Sequence, residues 1–180
     1  KDMKSSSRIY HIKNKTEVGY TELLYNDGTP FPGHVGGLTL VDSTRTLYVS
    51  NIEYDVYALN LDDVLNNKSI SVGEPIKTGD TSFGNAGDYI FSSLDKDEQY
   101  IYVGEFHNGN QYDRKNEIKG KNGIVHHAAI YRYDRANFSS NSKPDLIYSV
   151  PDKVQGFTIT PSGRIMLSTS WGLASSHYYV

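Results

Sequence analysis

A chain of 180 residues is long enough to bury a substantial core within one domain, and with 37% hydrophobic and 22% charged residues it is globular and not disordered. Net charge is −3 and the lysines and arginines are scattered, so there is no basic stripe for DNA or RNA. The apolar runs are short, far below the roughly 18 residues of a membrane helix, and membrane insertion is not expected. Absence of cysteine excludes disulfides, thiolate metal sites and a cysteine nucleophile.

The opening Lys1-Asp2-Met3-Lys4-Ser5-Ser6-Ser7 has no apolar stretch and does not read as a signal peptide. It reads as the middle of a longer protein or as a processed end. Composition alone sets the expectation of an extracellular or secreted protein. Fifteen tyrosines against six phenylalanines suit half-buried strands and the polar rims of binding faces.

In chain order, Arg8 to Ile12 and Tyr20 to Tyr25 read as the last two strands of a repeating unit. A complete unit follows: Gly36-Gly37-Leu38-Thr39-Leu40-Val41, a polar turn at Asp42 to Arg45, then Thr46-Leu47-Tyr48-Val49-Ser50-Asn51. Alternating or continuous apolar residues mark the strands, and the Asp- and Ser-bearing segment supplies turn geometry. Asp55 to Leu61 gives a third, tyrosine-bearing strand and Ile70 to Lys77 a fourth. Asp62-Asp63 reads as the end of a strand or a short helical turn.

The pattern recurs twice. Asn85 to Ser92, a turn at Asp95 to Glu98, Tyr100 to Glu105, Ala129 to Asp134 and Asp145 to Val150 form the second unit. Lys153 to Thr160, a turn at Pro161-Ser162-Gly163, Arg164 to Ser170 and His177 to Val180 form most of the third. Gly36, Gly87 and Gly156 open the first strands, where close backbone approach near a crowded axis is expected. The interval from Gly87 to Gly156 exceeds the about 40–50 residues of one unit, and the surplus is the polar, Gly- and Asn-rich stretch 107–127.

The order of glycine-led strand, turn, strand and then a "VYALNL" or "IYRYD" strand resembles six- or seven-bladed β-propellers of the NHL, YncE-like and phytase-like kind. The resemblance covers nearly the whole chain. It implies an all-β fold, about three blades of a six- or seven-bladed ring, with residues 1–180 forming a single partial domain. Blade boundaries fall near 33, 84 and 152, with a loop insertion at 107–127. A ring needs about four to eight blades, so a fragment is expected over a closed four-bladed ring.

Propeller ligands sit at a mouth of the central channel, which directs attention to residues before first strands and after second strands. These are His34, Asn85 and Gln155, and Asn51, Glu105, His107, Ser170 and Trp171. In the plainer reading they cap strands around a wet channel. The metal alternative is calcium or another divalent ion held by His34, Glu105 and His107, since Glu105 and His107 share a strand face. Only one of His126 and His127 could join such a set. Asp95-Lys96-Asp97-Glu98 lacks the calcium-loop pattern and reads as a solvated turn.

No Walker lysine, His-Glu-x-x-His or nucleophile elbow occurs; Ser168-Thr169-Ser170-Trp171-Gly172 lacks the first glycine and the strand–turn–helix context. The expected function is therefore a non-catalytic binding or scaffold propeller, without a cofactor, that recognises a protein, peptide or glycan. The alternative is a metal-dependent propeller hydrolase, lactonase or lyase, with its site in the channel.

Overall fold

Strands covered on both faces read as unbroken apolar runs, and Leu47-Tyr48-Val49 and Ile101-Tyr102-Val103 are two such runs. The computed structural model describes residues 5–51, 55–78, 90–94, 97–109, 118–170 and 175–180, with the backbone alone at 90–94 and 118. Its strands are β1 (Arg8–Lys13), β2 (Thr16–Leu24), β3 (Gly37–Val41), β4 (Thr46–Ser50), β5 (Asp55–Asn60), β6 (Ser69–Ser71), β7 (Ile76–Lys77) and β8 (Ile90–Leu94). These are followed by β9 (Tyr100–Glu105), β10 (Ile118–Lys119), β11 (Val125–His126), β12 (Ala128–Asp134), β13 (Leu146–Val150), β14 (Val154–Ile159), β15 (Ile165–Thr169) and β16 (His177–Tyr179). One short helix, α1 (Leu61–Asn66), lies between β5 and β6.

The chain is all-β, built from several small sheets. The first has the order β1-β2-β6, the second β3-β4-β5-β7, the third β8-β9-β12-β13 and the fourth β14-β15-β16. The second, third and fourth are antiparallel meanders taken in chain order. Their first strands lie side by side, β3 along β8 and β8 along β14. Among the described residues no helix is long and apolar enough to cross a membrane.

Period two assigns the side chains to interfaces. Leu47, Val49, Tyr57 and Leu59 of the second sheet pack with Ile9 and Leu23 of the first. Val41, Tyr48 and Val56 face the other way and meet Ile101, Val103 and Tyr131 of the third sheet. From the far side of that sheet, Tyr102, Ala128 and Ile130 pack with Val154, Ile159 and Leu167 of the fourth. Each fully buried aliphatic residue contributes about 1.5–3 kcal/mol relative to exposure.

Two expectations are revised, for Ile70 to Lys77 and for Gly156, and the helical alternative for Asp62-Asp63 is met. The predicted strand Ile70 to Lys77 divides at Gly73, whose φ of 71° suits glycine. Before it, β6 runs parallel to β2, with Leu23 opposite Ile70; after it, β7 joins β5, with Val56 opposite Ile76. Asp62-Asp63 forms the first turn of α1, where the Asn60 side chain accepts from Asp62 N at 2.8 Å and Asp63 N at 3.1 Å. Gly156 is not at a close approach, for a Cβ there would meet nothing within 4 Å. It sits instead where the β14–β15 register shifts. Gly87 lies outside the described residues.

A crowded glycine at a sheet interface is Gly104, on β9. A Cβ there would stand 2.7 Å from Phe157 Cε1 and 3.2 Å from Ile130 Cγ1. The missing side chain lets Phe157 of the fourth sheet press against the third.

Turns also bind sheets together. Glu98 accepts from Asp42 N at 2.9 Å, from Ser43 N at 3.3 Å and from the Ser43 hydroxyl. The Ser43 hydrogen bond, ahead of the backbone donors, holds the Glu98 carboxyl below its usual range. The acidic turn thus latches the second sheet to the third; its residues 95 and 96 lie outside the described residues.

Gly104→Ala should destabilise the protein by about 1–3 kcal/mol through overpacking, measured by urea unfolding. In a Phe157→Leu background the same change should cost much less, because the opposing ring is gone. Equal costs in both backgrounds would mean that Phe157 does not set the constraint.

Candidate functional site

Antiparallel pairing sets Ile90, the start of β8, opposite Glu105, the end of β9. That end of the third sheet therefore gathers the start of its first strand, the exit of β9, the start of β12 and the exit of β13. The chain then crosses to β14 through Pro151-Asp152-Lys153.

The residues expected at such ends have different settings. His34 is exposed ahead of β3 and Gln155 is exposed on β14. Asn51 is buried after β4, where its N–H donates to Asp55 O at 2.8 Å. Ser170 is half-buried, with its N–H donating to Lys153 O at 3.1 Å. Asn85 and Trp171 lie outside the described residues.

Glu105 is fully buried. Its Oε2 accepts from Ala129 N at 3.1 Å and its Oε1 from the Tyr131 hydroxyl at 3.0 Å. Burial of a carboxylate is tolerable when donors satisfy it in this way, so Glu105 is tied into the ladder between β9 and β12.

Two positions further on is His107, 3% exposed. The β9–β12 register pairs Gly104 with Ile130 and, carried past the last paired residues, brings His107 opposite His127. The two imidazoles are stacked, with ring centroids 4.7 Å apart and planes 21° apart. Asp152 joins them: its Oδ2 lies 3.8 Å from His107 Nε2 and 3.7 Å from His127 Nδ1. One ligand-type atom from each of these three residues lies within 4.8 Å of the others. Neither His34 nor Glu105 belongs to this group, and of the adjacent histidines only His127 does. His126 is in β11, opposite Ile118 in the two-stranded ribbon that occupies part of the 107–127 insertion.

The cross-over loop holds Asp152 in place. Lys153 has a φ of 67°, unusual for a residue with a side chain, and its N–H donates to His107 O at 2.8 Å. Among the described residues, His127 Nδ1 and Asp152 Oδ1 are shielded from solvent without a hydrogen-bond partner. Each such atom costs about 1–3 kcal/mol. Two imidazoles and a carboxylate arranged like this are able to hold a cation, share a proton, or bind a polar ligand.

Asp152 is not among the residues the sequence singles out; it falls between the strand ending at Val150 and the unit beginning at Lys153. Extending the hairpin ladder from Glu105–Ala129 to His107–His127 was the signal available for the histidine pair. No family model matches the chain, nor does any curated protein.

At the corresponding end of the second sheet, Tyr57 is pushed up to about 12, first by burial and then by the Asp55 carboxylate. Asp55 also pairs with Lys77 Nζ.

Tyr131→Phe should destabilise the fold by about 1–3 kcal/mol, since it removes a donor from the buried Glu105 carboxylate; an unchanged urea midpoint would contradict that role. A second outcome concerns alkaline pH. A raised folded-state pKa means that the neutral Tyr57 phenol stabilises the fold below the unfolded value of about 10. That contribution is lost as pH rises through about 12. Tyr57→Phe should flatten this alkaline loss in unfolding titrations, and an unaltered profile would dissociate it from Tyr57.

Proposed function

We propose that the chain is part of a six- or seven-bladed β-propeller. It acts as a non-catalytic binding or scaffold module that recognises a protein, peptide or glycan at the channel mouth. The observation that carries this reading is the side-by-side arrangement of β3, β8 and β14, each the first strand of a successive meander. In a propeller such strands line the axis, and the later strands of each blade lie progressively outward.

On that architecture, His34 before β3 and Gln155 at the start of β14 stand on one rim, together with the exits of the second strands. Both are exposed. Polar residues on loops and strand starts, held by a rigid scaffold, suit recognition. Because the fold by itself does not dictate function, the test addresses these residues.

Peptide and glycan arrays probed with the intact protein should yield a ligand whose affinity falls by about tenfold in His34→Ala or Gln155→Ala. Tyr10→Ser, on the outer face of the first sheet, should leave that affinity unchanged. A ligand insensitive to both rim substitutions, or one lost with Tyr10→Ser, would refute the proposed face. Small-angle scattering of the intact protein supplies a separate check: a flat ring is expected, and an elongated stack of sheets would refute the propeller.

A further inference from the structure

We infer that His107, His127 and Asp152 form a binding site for a zinc-type divalent transition metal, coordinated through His107 Nε2, His127 Nδ1 and Asp152 Oδ2. This goes beyond ligand recognition at the rim. It requires only the local geometry at the end of the third sheet, so it stands independently of blade number.

The first argument is distance. Ligands bound to one zinc ion at about 2.0–2.1 Å stand roughly 3.3 Å apart in a tetrahedron. Asp152 Oδ2 is already 3.8 Å from His107 Nε2 and 3.7 Å from His127 Nδ1. The three atoms span no more than 4.8 Å. His127 and Asp152 are half-buried, each with 40% of its side chain exposed. Stacked imidazoles direct their lone pairs along nearly parallel planes, so binding requires the half-exposed His127 ring to turn out of the stack and Asp152 to follow it onto one ion, while buried His107 stays fixed.

The second argument is the state of the donor atoms. His127 Nδ1 is shielded from solvent and takes no hydrogen bond among the described residues, and the same holds for the other Asp152 oxygen. A metal bound at Nδ1 would satisfy that atom directly. It would also balance the carboxylate charge lying against two imidazoles.

The third argument is support. His107 leaves β9 in register with His127, on the ladder that Glu105 and Tyr131 secure. The Lys153 N–H to His107 O bond and the Ser170 N–H to Lys153 O bond tie the Asp152 turn to β9 and to the end of β15. Donors from three chain segments are thereby held by rigid elements, the requirement for a metal site of defined geometry.

Donor chemistry selects the ion. Two nitrogens and one oxygen suit Zn²⁺ and its neighbours Co²⁺ and Ni²⁺, whereas Ca²⁺ takes six to eight oxygen ligands. Three protein donors leave a fourth position for water or a polar ligand group.

The test uses tag-free protein stripped with EDTA and titrated with ZnCl₂ by calorimetry. Far-UV circular dichroism confirms that each variant is folded. Uptake of one Zn²⁺ per chain and a rise in Tm are expected, with visible absorption bands of tetrahedral type on Co²⁺ substitution. His127→Ala and Asp152→Asn, chosen because both residues are half-buried, should each weaken binding by at least about tenfold. His126→Ala, which alters the neighbouring histidine outside the group, should bind as the unaltered protein does. The inference is overturned if folded wild-type protein takes up no Zn²⁺. Binding of Ca²⁺ in preference to Zn²⁺, or equal Zn²⁺ affinity in His127→Ala and Asp152→Asn, overturns it as well. A stability dependent on pH but indifferent to metal would assign the cluster to a shared proton instead.

Discussion

Ile130 and Tyr131 are neighbours in the chain, lie on opposite sides of one sheet, and are both completely buried. Ile130 packs toward Val154 and Leu167 of the fourth sheet, and Tyr131 toward Val41 and Tyr48 of the second. A strand in that position has no solvent face, so every residue along it must fit a packed interior. The second and third sheets are both held in this way, and their spacing sets the limits on neighbouring side chains. Gly104 shows such a limit against the fourth sheet, since Phe157 occupies the space a β-carbon would need.

Double-sided burial also controls the polar residues. The alternation that sends Val103 and Tyr131 toward the second sheet continues to Glu105, so this carboxylate enters the interior at the last residue of β9. Its cost is offset by the Ala129 N–H and the Tyr131 hydroxyl. Past the strand end the same ladder places His107 against His127, where the apolar cover gives way and Asp152 closes over the pair. The core and the polar cluster are successive parts of one register.

Much of the fold was legible because strand periodicity and turn chemistry are local. The hairpin of Gly37–Val41 with Thr46–Ser50, the tyrosine-bearing strands Asp55–Asn60 and Ala128–Asp134, and the short final strand were all visible as runs between turns. The division of Ile70 to Lys77 between two sheets was not, because parallel pairing of Leu23 with Ile70 is a contact between distant parts of the chain. Histidine 107 was legible as a candidate through its position after a second strand. Asp152 was not, since its approach depends on the left-handed Lys153 and on a hydrogen bond back to His107. Glu105 was legible in place and not in partners: sequence put it beside a channel, whereas the ladder spends both its oxygens internally.

The second and third sheets also repeat a chemical arrangement that sequence identity conceals. Tyr57 lies opposite Val49 on β5, and Tyr131 lies opposite Val103 on β12. Each tyrosine has a carboxylate at the same end of its sheet, but the carboxylates come from different strands. Asp55 precedes Tyr57 on β5, while Glu105 reaches Tyr131 from β9. What recurs is a buried phenol that needs a polar partner where the apolar face ends, and either strand can provide one. A search for identical residues at equivalent positions misses this. It becomes visible once positions are matched by ladder and by face, and the same matching pairs His107 with His127. The polar chemistry at these sheet ends is therefore ordered by register, with the partner carboxylate coming from either strand as long as it arrives at the same end of the sheet.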